Sequence, residues 1–277
     1  MTLPSRFWAD LTTRQFAQLA VSHHIDKTVA VLPVAAIEQH GPHLPLSVDS
    51  DLVNGVIQAA LPHLPADLPV LILPTQQIGL SPEHIRFPGT LTLSAQTVMA
   101  LWMELGACVA RAGIKKLVIF NSHGGQVSVM DIVARDLRTA HDLIVYHACW
   151  YNLPLGDAVT GLFPPEEHSF GIHGGDMETS MMLALRPDRV DMSQAQNFKS
   201  TSQDRAANYP ILGNGKSAKL GWQMQDYNLQ GAAGNAAAAT AEKGHALINA
   251  AGLQLAKMLQ EVSDLPLSTL KTNPDLA

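Results

Sequence analysis

Apolar positions along the chain follow two periods. Thr28-Val29-Ala30-Val31-Leu32-Pro33-Val34 is a short run rich in β-branched residues and reads as a buried strand. Val70-Leu71-Ile72-Leu73, Leu117-Val118-Ile119-Phe120 and Leu143-Ile144-Val145-Tyr146 repeat that pattern. Between them the apolar residues recur at helical spacing. Helices are predicted over 11–22 with Asp10 as cap, over 49–61, from Ser94 to about 112 with Gly113 as the stop, onward from Gly125 to about 141, and over 176–185 before Pro187. An alanine-rich stretch over 236–262 predicts a long terminal helix. Strands alternating with helices give an α/β fold with a mostly parallel sheet covered on both faces. Three stretches lack a period. Residues 75–92, with Pro82, Pro88 and Gly89, form a loop long enough to expect a functional role. Residues 152–175 are loop-rich, and 193–230 are polar without an assignable element. No repeat and no Pro-, Gly- or Ser-rich linker divides 1–277, so it reads as a single domain.

Composition narrows the classes. Of 277 residues 47% are hydrophobic and 15% charged, against roughly 25% charged in typical usage. A net charge of −6 gives no footprint for nucleic acid. No apolar run approaches the roughly 20 residues of a membrane span. Met1-Thr2-Leu3-Pro4-Ser5-Arg6 lacks the basic-then-apolar pattern of a leader. Two cysteines imply no disulfide framework, and a cytoplasmic protein is expected. Against this low charge stand 12 histidines, two-thirds of the 18 lysines and arginines, which directs attention to metal chemistry.

Parallel sheets bind ligands at the carboxyl ends of their strands, and three clusters stand after strand ends or at a helix start. The first is Glu38-Gln39-His40, with His43 and Asp49 following. On an extended segment Glu38 and His40 point to one side, and Asp49 opens the next helix and can return to the same rim. The plainer reading makes Asp49 a helix N-cap. The second is Asn121-Ser122-His123-Gly124-Gly125, where an ordinary strand-to-helix turn is the competing explanation. The third is His173-Gly174-Gly175-Asp176-Met177-Glu178-Thr179-Ser180. A helix dipole alone accounts for an acid in the first turn, but not for His173 and its glycines. Carboxylates with imidazoles suit Zn, Mn or Fe. There is no Gly-x-Ser-x-Gly elbow for a nucleophilic serine and no Gly-Lys-Ser/Thr phosphate loop. Cys108 falls within a helix and Cys149 after a strand. His23, His24, His63, His141, His147, His168 and His245 read as surface or capping residues, and His84 is left open.

The set resembles the creatininase (creatinine amidohydrolase) family. The likeness rests on Ile37-Glu38-Gln39-His40-Gly41-Pro42-His43-Leu44-Pro45-Leu46 with Asp49, and on Pro82-Glu83-His84 with Phe87-Pro88-Gly89-Thr90. Asn121 to Gly125, His173 to Ser180 and Ala241-Glu242-Lys243-Gly244 complete it, in family order over 31–244. The resemblance implies a three-layer α/β/α sandwich and a centre of one or two divalent ions (Zn, Mn or Fe). Glu38 and His123 would bind one ion, His40 the other, and Asp49 both. Glu178 would be a ligand or act beside the ligands in catalysis, and His173 would be the catalytic histidine. Ser81 would hold substrate, Trp150 approximates a pocket tryptophan, and Gly124 and Gly125 would leave substrate room and offer N–H groups. The family forms hexamers, so a homo-oligomer is expected.

Two departures matter. In the creatininase the histidine matching His123 is followed by Tyr-Glu, whose Glu binds the second ion; here the pair is Gly124-Gly125. Its Trp-Asp before the catalytic histidine reads Ser169-Phe170 here. Creatinine is therefore not the expected substrate, and the Gly-Gly form is more similar to other branches, which include a deformylase of a formamidopyrimidine nucleotide. The expected activity is hydrolysis of a non-peptide C–N bond, in a cyclic amide or formamide, by metal-activated water with His173 as proton donor. The alternatives are a non-catalytic metal-binding or assembly subunit, motivated by the missing carboxylate at Gly125, and a plain binding module for a small polar ligand.

Overall fold

The computed structural model describes residues 3–271 and 273–274. Met1 and Thr2 of the amino-terminal stretch considered for a leader lie outside the described residues, as do Thr272, Asp275, Leu276 and Ala277 of the expected domain. In chain order the elements are α1 (Thr13–Ala20), β1 (Val29–Val34), α2 (Val48–Ala60), β2 (Val70–Ile72), α3 (Ala95–Arg111), β3 (Lys116–Asn121), α4 (Val127–His141) and β4 (Ile144–Cys149). Then follow α5 (Asp157–Thr160), α6 (Pro165–Phe170), α7 (Asp176–Leu185), β5 (Asn197–Phe198), α8 (Thr201–Asn208), α9 (Met224–Tyr227), β6 (Gly234–Asn235) and α10 (Ala241–Asp264).

The four long apolar runs form one parallel sheet in the order β2-β1-β3-β4, with Val29 opposite Val70 on one side and Lys116 on the other. Alternation along β1 explains the layers. Val29 and Val31 point into a core shared with α2, α7 and α10, whereas Ala30, Leu32 and Val34 point into a core shared with α1, α3 and α4. The result is the three-layer α/β/α sandwich that the sequence led us to expect. The chain leaves β1 toward β2 and later returns to β3 on the other side of β1. That reversal opens a crevice at the carboxyl ends of β1 and β3. No described helix is long and apolar enough to cross a membrane.

Several boundaries differ from the expectation. Asp10 does not cap α1. Thr12 does, because Thr12 and Gln15 form a reciprocal capping box, and Asp10 instead accepts a 2.6 Å hydrogen bond from Ser5. The terminal helix starts at Ala241, since Thr240 is its N-cap and Ala236–Ala238 make a 3₁₀ turn. β4 runs on to Cys149. The loop-rich 152–175 contains α5 and α6, and the unassigned polar stretch contains α8 and α9.

The Ala241-Glu242-Lys243-Gly244 motif has a packing reason. A Cβ at Gly244 would overlap the Ser180 carbonyl oxygen of α7, so α10 lies against that helix backbone to backbone. One residue earlier, Lys243 Nζ donates to Asp176 Oδ2 at 2.6 Å, fixing the start of α7. Gly244→Ala is expected to lower stability by about 1–3 kcal/mol through overpacking, read as a lower denaturant midpoint with unchanged m. An unchanged midpoint would show that α10 can stand off from α7.

Candidate metal centre

All four strands of the sheet end at one rim, and three of the connections that leave it deliver acids or imidazoles. β1 continues into Glu38 and His40, both buried. β3 ends one residue before Ser122, which donates to the Asp49 carbonyl at 2.6 Å and ties the start of α2 to the loop carrying His123. The 75–92 loop is pinned beside β1, with Ala35 N donating to Gln76 O at 3.0 Å and Leu91 N to Ile37 O at 2.8 Å. Within it the 3₁₀ turn Pro82–His84 presents Glu83 and His84, both buried. His173 enters through mutual backbone bonds with Ala233, 3.3 and 2.7 Å.

These segments converge on the Glu38 carboxylate. Its Oε1 lies 3.2 Å from His123 Nδ1, 3.4 Å from His84 Nε2, 3.8 Å from His173 Nδ1 and 4.0 Å from His40 Nε2. Asp49 stands between two imidazoles, Oδ1 at 3.7 Å from His40 Nε2 and Oδ2 at 3.6 Å from His123 Nδ1. Glu178 Oε2 is 3.9 Å from His40 Nε2 and accepts a 2.6 Å bond from Gly174 N. Asp49 is not an N-cap: Ser47 holds that position, and the Asp49 side chain is buried.

Hydrogen bonds on the outer ring atoms set the tautomers. His40 Nδ1 donates to the Glu38 carbonyl at 3.0 Å, so its Nε2 carries a lone pair. His123 Nε2 donates to Leu80 O at 2.9 Å, so it is the Nδ1 edge that faces Glu38 and Asp49, as an N–H while the ring is charged and as a lone pair once that proton is displaced. His173 Nε2 donates to Gln39 O at 2.6 Å and likewise frees Nδ1. Gln39 Oε1 accepts from Gly41 N at 2.9 Å, so its amide nitrogen faces His84 Nδ1 at 2.8 Å, and His84 turns an N–H toward Glu38. The imidazoles of His40, His173 and His84 stack, with centroids 4.1 and 4.3 Å apart. Burial, then the charge of His173, holds His84 down at about 3 and His40 well below its ordinary range.

Glu38 Oε2, His40 Nε2 and Asp49 Oδ2 are buried and have no hydrogen-bond partner. Bare acceptors of this kind are costly unless a cation answers them. Glu38, His40 and Asp49 form one group close enough to share an ion, and His40, His173 and Glu178 form another. The donor set, carboxylate oxygens with imidazole nitrogens, suits Zn, Mn or Fe(II).

Beside the centre lies a cavity of about 400 Å³. Glu38, Asp49, His123, His173 and Glu178 form its floor, and Gly124, Trp150 and Tyr151 its wall. Of the residues expected to meet substrate, Gly124 and Trp150 face this space. Ser81 and Gly125 are set back from it. Ser81 is fully buried with Oγ 3.3 Å from His123 Nε2, and Gly125 packs toward Glu83. His168 is exposed, as expected, and stands at the rim of this cavity. Glu83, His84 and Tyr151 stand at the site without having been given a role from the sequence, although Pro82-Glu83-His84 was one of the motifs that carried the resemblance and His84 was left open. His43 is structural: it bonds Thr179 Oγ1 at 2.9 Å and stacks on Phe198.

A family model described as "Creatininase: Creatinine amidohydrolase" matches residues 9–259. The chain is similar to the creatinine amidohydrolase of Pseudomonas putida, 32% identical over 204 residues that cover 69% of this chain and 75% of that protein. It is also similar to the mycofactocin precursor peptide peptidase of Mycobacterium tuberculosis, 34% identical over 169 residues. That match covers 58% of this chain and 59% of the peptidase, less than two thirds of its length. A solved structure described as "Creatininase Mn" superposes with a TM-score of 0.75 at 26% identity, covering 94% of this chain and 100% of that one.

The charge cluster predicts a pH dependence. Without an ion, burial, then the charge of Glu38, pushes Asp49 well above its ordinary 3.8. Burial opposes protonation of His123, but the charge and hydrogen bond of Glu38 outweigh it and hold His123 well above 6.5. Both groups bind a proton more tightly folded than unfolded. The stability this contributes is present at low pH and is lost as pH rises through the folded values. Above the unfolded imidazole value of 6.5, His40 and His84 are neutral in both states and no longer contribute. The metal-free protein is therefore expected to lose Tm as pH rises above 6.5. Saturating Mn²⁺ should raise stability, by about 2.7 kcal/mol at a hundredfold excess over Kd, and flatten the slope. Melts between about pH 6.5 and pH 9 check both, and a metal-free Tm that climbs across this window refutes the charge assignment.

Proposed function

The chain belongs to the creatininase family, and from that premise we propose that it is a metal-dependent amidohydrolase that cleaves a C–N amide bond in a small, uncharged molecule. The carrying observation is the convergence of Glu38, His40, Asp49, His123 and Glu178 beside a cavity, with ligand atoms of Glu38, His40 and Asp49 buried and bare. Glu38 and His123 would hold one ion, His40 and Glu178 the other, and Asp49 would serve both with its two oxygens. When bound, such ions supply Lewis-acid chemistry, acidifying water and polarising the amide carbonyl.

The chain's own groups do the rest. Asp49 and Glu38 fix the floor against which the carbonyl is presented. His173 lines the cavity with Nε2 committed to Gln39 O, so Nδ1 is the atom that takes up the proton released by the attacking water and passes it to the leaving nitrogen. Stacking between His40 and His84 fixes the plane of that ring. Gly124 keeps the space above His123 open, and Trp150 and Tyr151 close it on one side. Among the described residues lining the cavity there is no lysine or arginine. This favours a neutral lactam or formamide over a substrate carrying a phosphate or a carboxylate.

A second reading is hydrolysis of a peptide C–N bond, favoured by the similarity to the mycobacterial peptidase. The alternative of a non-catalytic subunit was motivated by the carboxylate missing at Gly125; the Glu178 carboxylate, 3.9 Å from His40 Nε2, supports the catalytic reading over it. We further propose a homo-oligomer, hexameric as the family resemblance implies, which light scattering on the eluting protein would report directly.

Elemental analysis of the pure protein, followed by a screen of lactams, formamides and short peptides with that metal restored, tests the proposal. Glu38→Ala and Asp49→Ala are expected to abolish both metal content and turnover. His173→Ala should retain the metal and lose about 10²–10⁴ in kcat. Full activity in a chelated, metal-free preparation would refute the reaction, and cleavage confined to peptides would select the second reading.

A further inference from the structure

Glu83 stands at the centre without a task in the reaction above. Its side chain is buried, and Oε1 has no hydrogen-bond partner. It is not among the residues lining the cavity, so it does not meet substrate there. Its Oε1 lies 3.3 Å from His123 Nε2. A buried carboxylate without a compensating donor or charge is costly, so this placement needs a reason.

The reason lies in the His123 ring. Nδ1 faces Glu38 and Asp49, at 3.2 and 3.6 Å. Nε2 faces the other way, toward Leu80 O at 2.9 Å, Ser81 Oγ at 3.3 Å and Glu83 Oε1. The imidazole is thus held between acids on opposite edges. Gly125 makes this possible. A Cβ there would overlap Glu83 Oε1 and come within 2.6 Å of His123 Nε2. The neighbouring Gly124 differs: a Cβ there would meet only the Tyr151 hydroxyl, at 3.9 Å, on the cavity side.

We propose that Glu83 is the positioning carboxylate of His123. It faces the Nε2–H edge from behind, favours the tautomer whose Nδ1 lone pair points at Glu38 and Asp49, and makes that nitrogen a stronger ligand. Gly125 is the space that admits it. A carboxylate behind a metal-binding imidazole orients the ring and raises its basicity. The inference rests on the metal centre proposed above.

The test uses the full chain, with Glu83→Gln and Glu83→Ala beside the parent. Each is stripped of metal, melted, and titrated with Zn²⁺ in competition with a chromophoric chelator. Glu83→Gln keeps the shape and one acceptor but not the charge, so the metal-free Tm should stay close to the parent's. Zinc affinity should fall roughly 10- to 100-fold, and further in Glu83→Ala than in Glu83→Gln. With cobalt(II) in place of zinc, the visible bands should shift while their intensity, which reports ligand number, is kept. If Glu83→Ala does not fold, Glu83→Gln carries the test. Affinities for the variants within about twofold of the parent overturn this inference alone. A parent that takes up no ion overturns the metal centre and this inference with it.

Discussion

Burial of several carboxylates at one sheet rim is the constraint on which the rest of the structure depends. Glu38, Asp49 and Glu83 are each less than a tenth exposed, and all three keep an oxygen without a hydrogen bond. Charges brought together in a low-dielectric site repel, and desolvation adds to the cost. Imidazoles relieve part of it, which is why Glu38 is held well below its usual range: burial alone would raise it, but His123, His84 and His173 outweigh burial. Asp49, facing Glu38, goes the other way. The free energy that strains the metal-free cluster is the same quantity that favours a cation there.

Such a cluster holds only if the surrounding chain cannot relax away from it. The parallel sheet fixes the outlets of β1 and β3 side by side. The Ser122–Asp49 bond then locks the first turn of α2 against the β3 outlet. On the other side, Glu167 accepts from Asp176 N at 2.6 Å and Asn235 N at 2.9 Å, joining α6, the start of α7 and β6. Lys243 and Gly244 press α10 onto the same turn of α7. His173 and Glu178 are therefore delivered by a segment clamped at several points, although the segment itself is irregular. Rigid support around an irregular loop is what keeps ligand atoms at usable separations.

The legible part of the fold was the part governed by periodicity. β-branched runs flanked by helical spacing located the four strands of the sheet, and Ser94 and Gly113 marked the ends of α3 correctly. Boundaries went astray where two caps competed. Asp10 and Thr12 are both acceptable caps, and only the Gln15 side chain decides between them. The alanines before Thr240 carry high helix propensity but lie outside the capped helix. At the site, Glu38, His40, Asp49 and His123 were legible because metal-ligating residue types stood at predicted strand outlets. Glu83 and His84 were visible as part of a motif but received no role, because a long loop has no period from which to infer which side chains turn inward. Their direction is set by contacts from afar, such as the Gln39 amide on His84.

The Gly124-Gly125 pair shows how position and space diverge. Read along the chain, glycine at 125 is a deletion of charge two residues after His123, the histidine proposed to bind metal. In three dimensions the volume next to Gly125 is filled by the Glu83 carboxylate, which arrives from a segment some forty residues earlier in the sequence. On the far side of the centre, the Glu178 carboxylate faces His40. Negative charge around the centre is thus redistributed, with one acid behind His123 and one beside His40, while Gly124 opens the cavity above. A Cβ at 125 would overlap the Glu83 carboxylate where it now lies, so a side chain there would require that carboxylate to shift. The two glycines therefore do different work. Gly124 borders the cavity, and Gly125 leaves room for the Glu83 carboxylate behind His123.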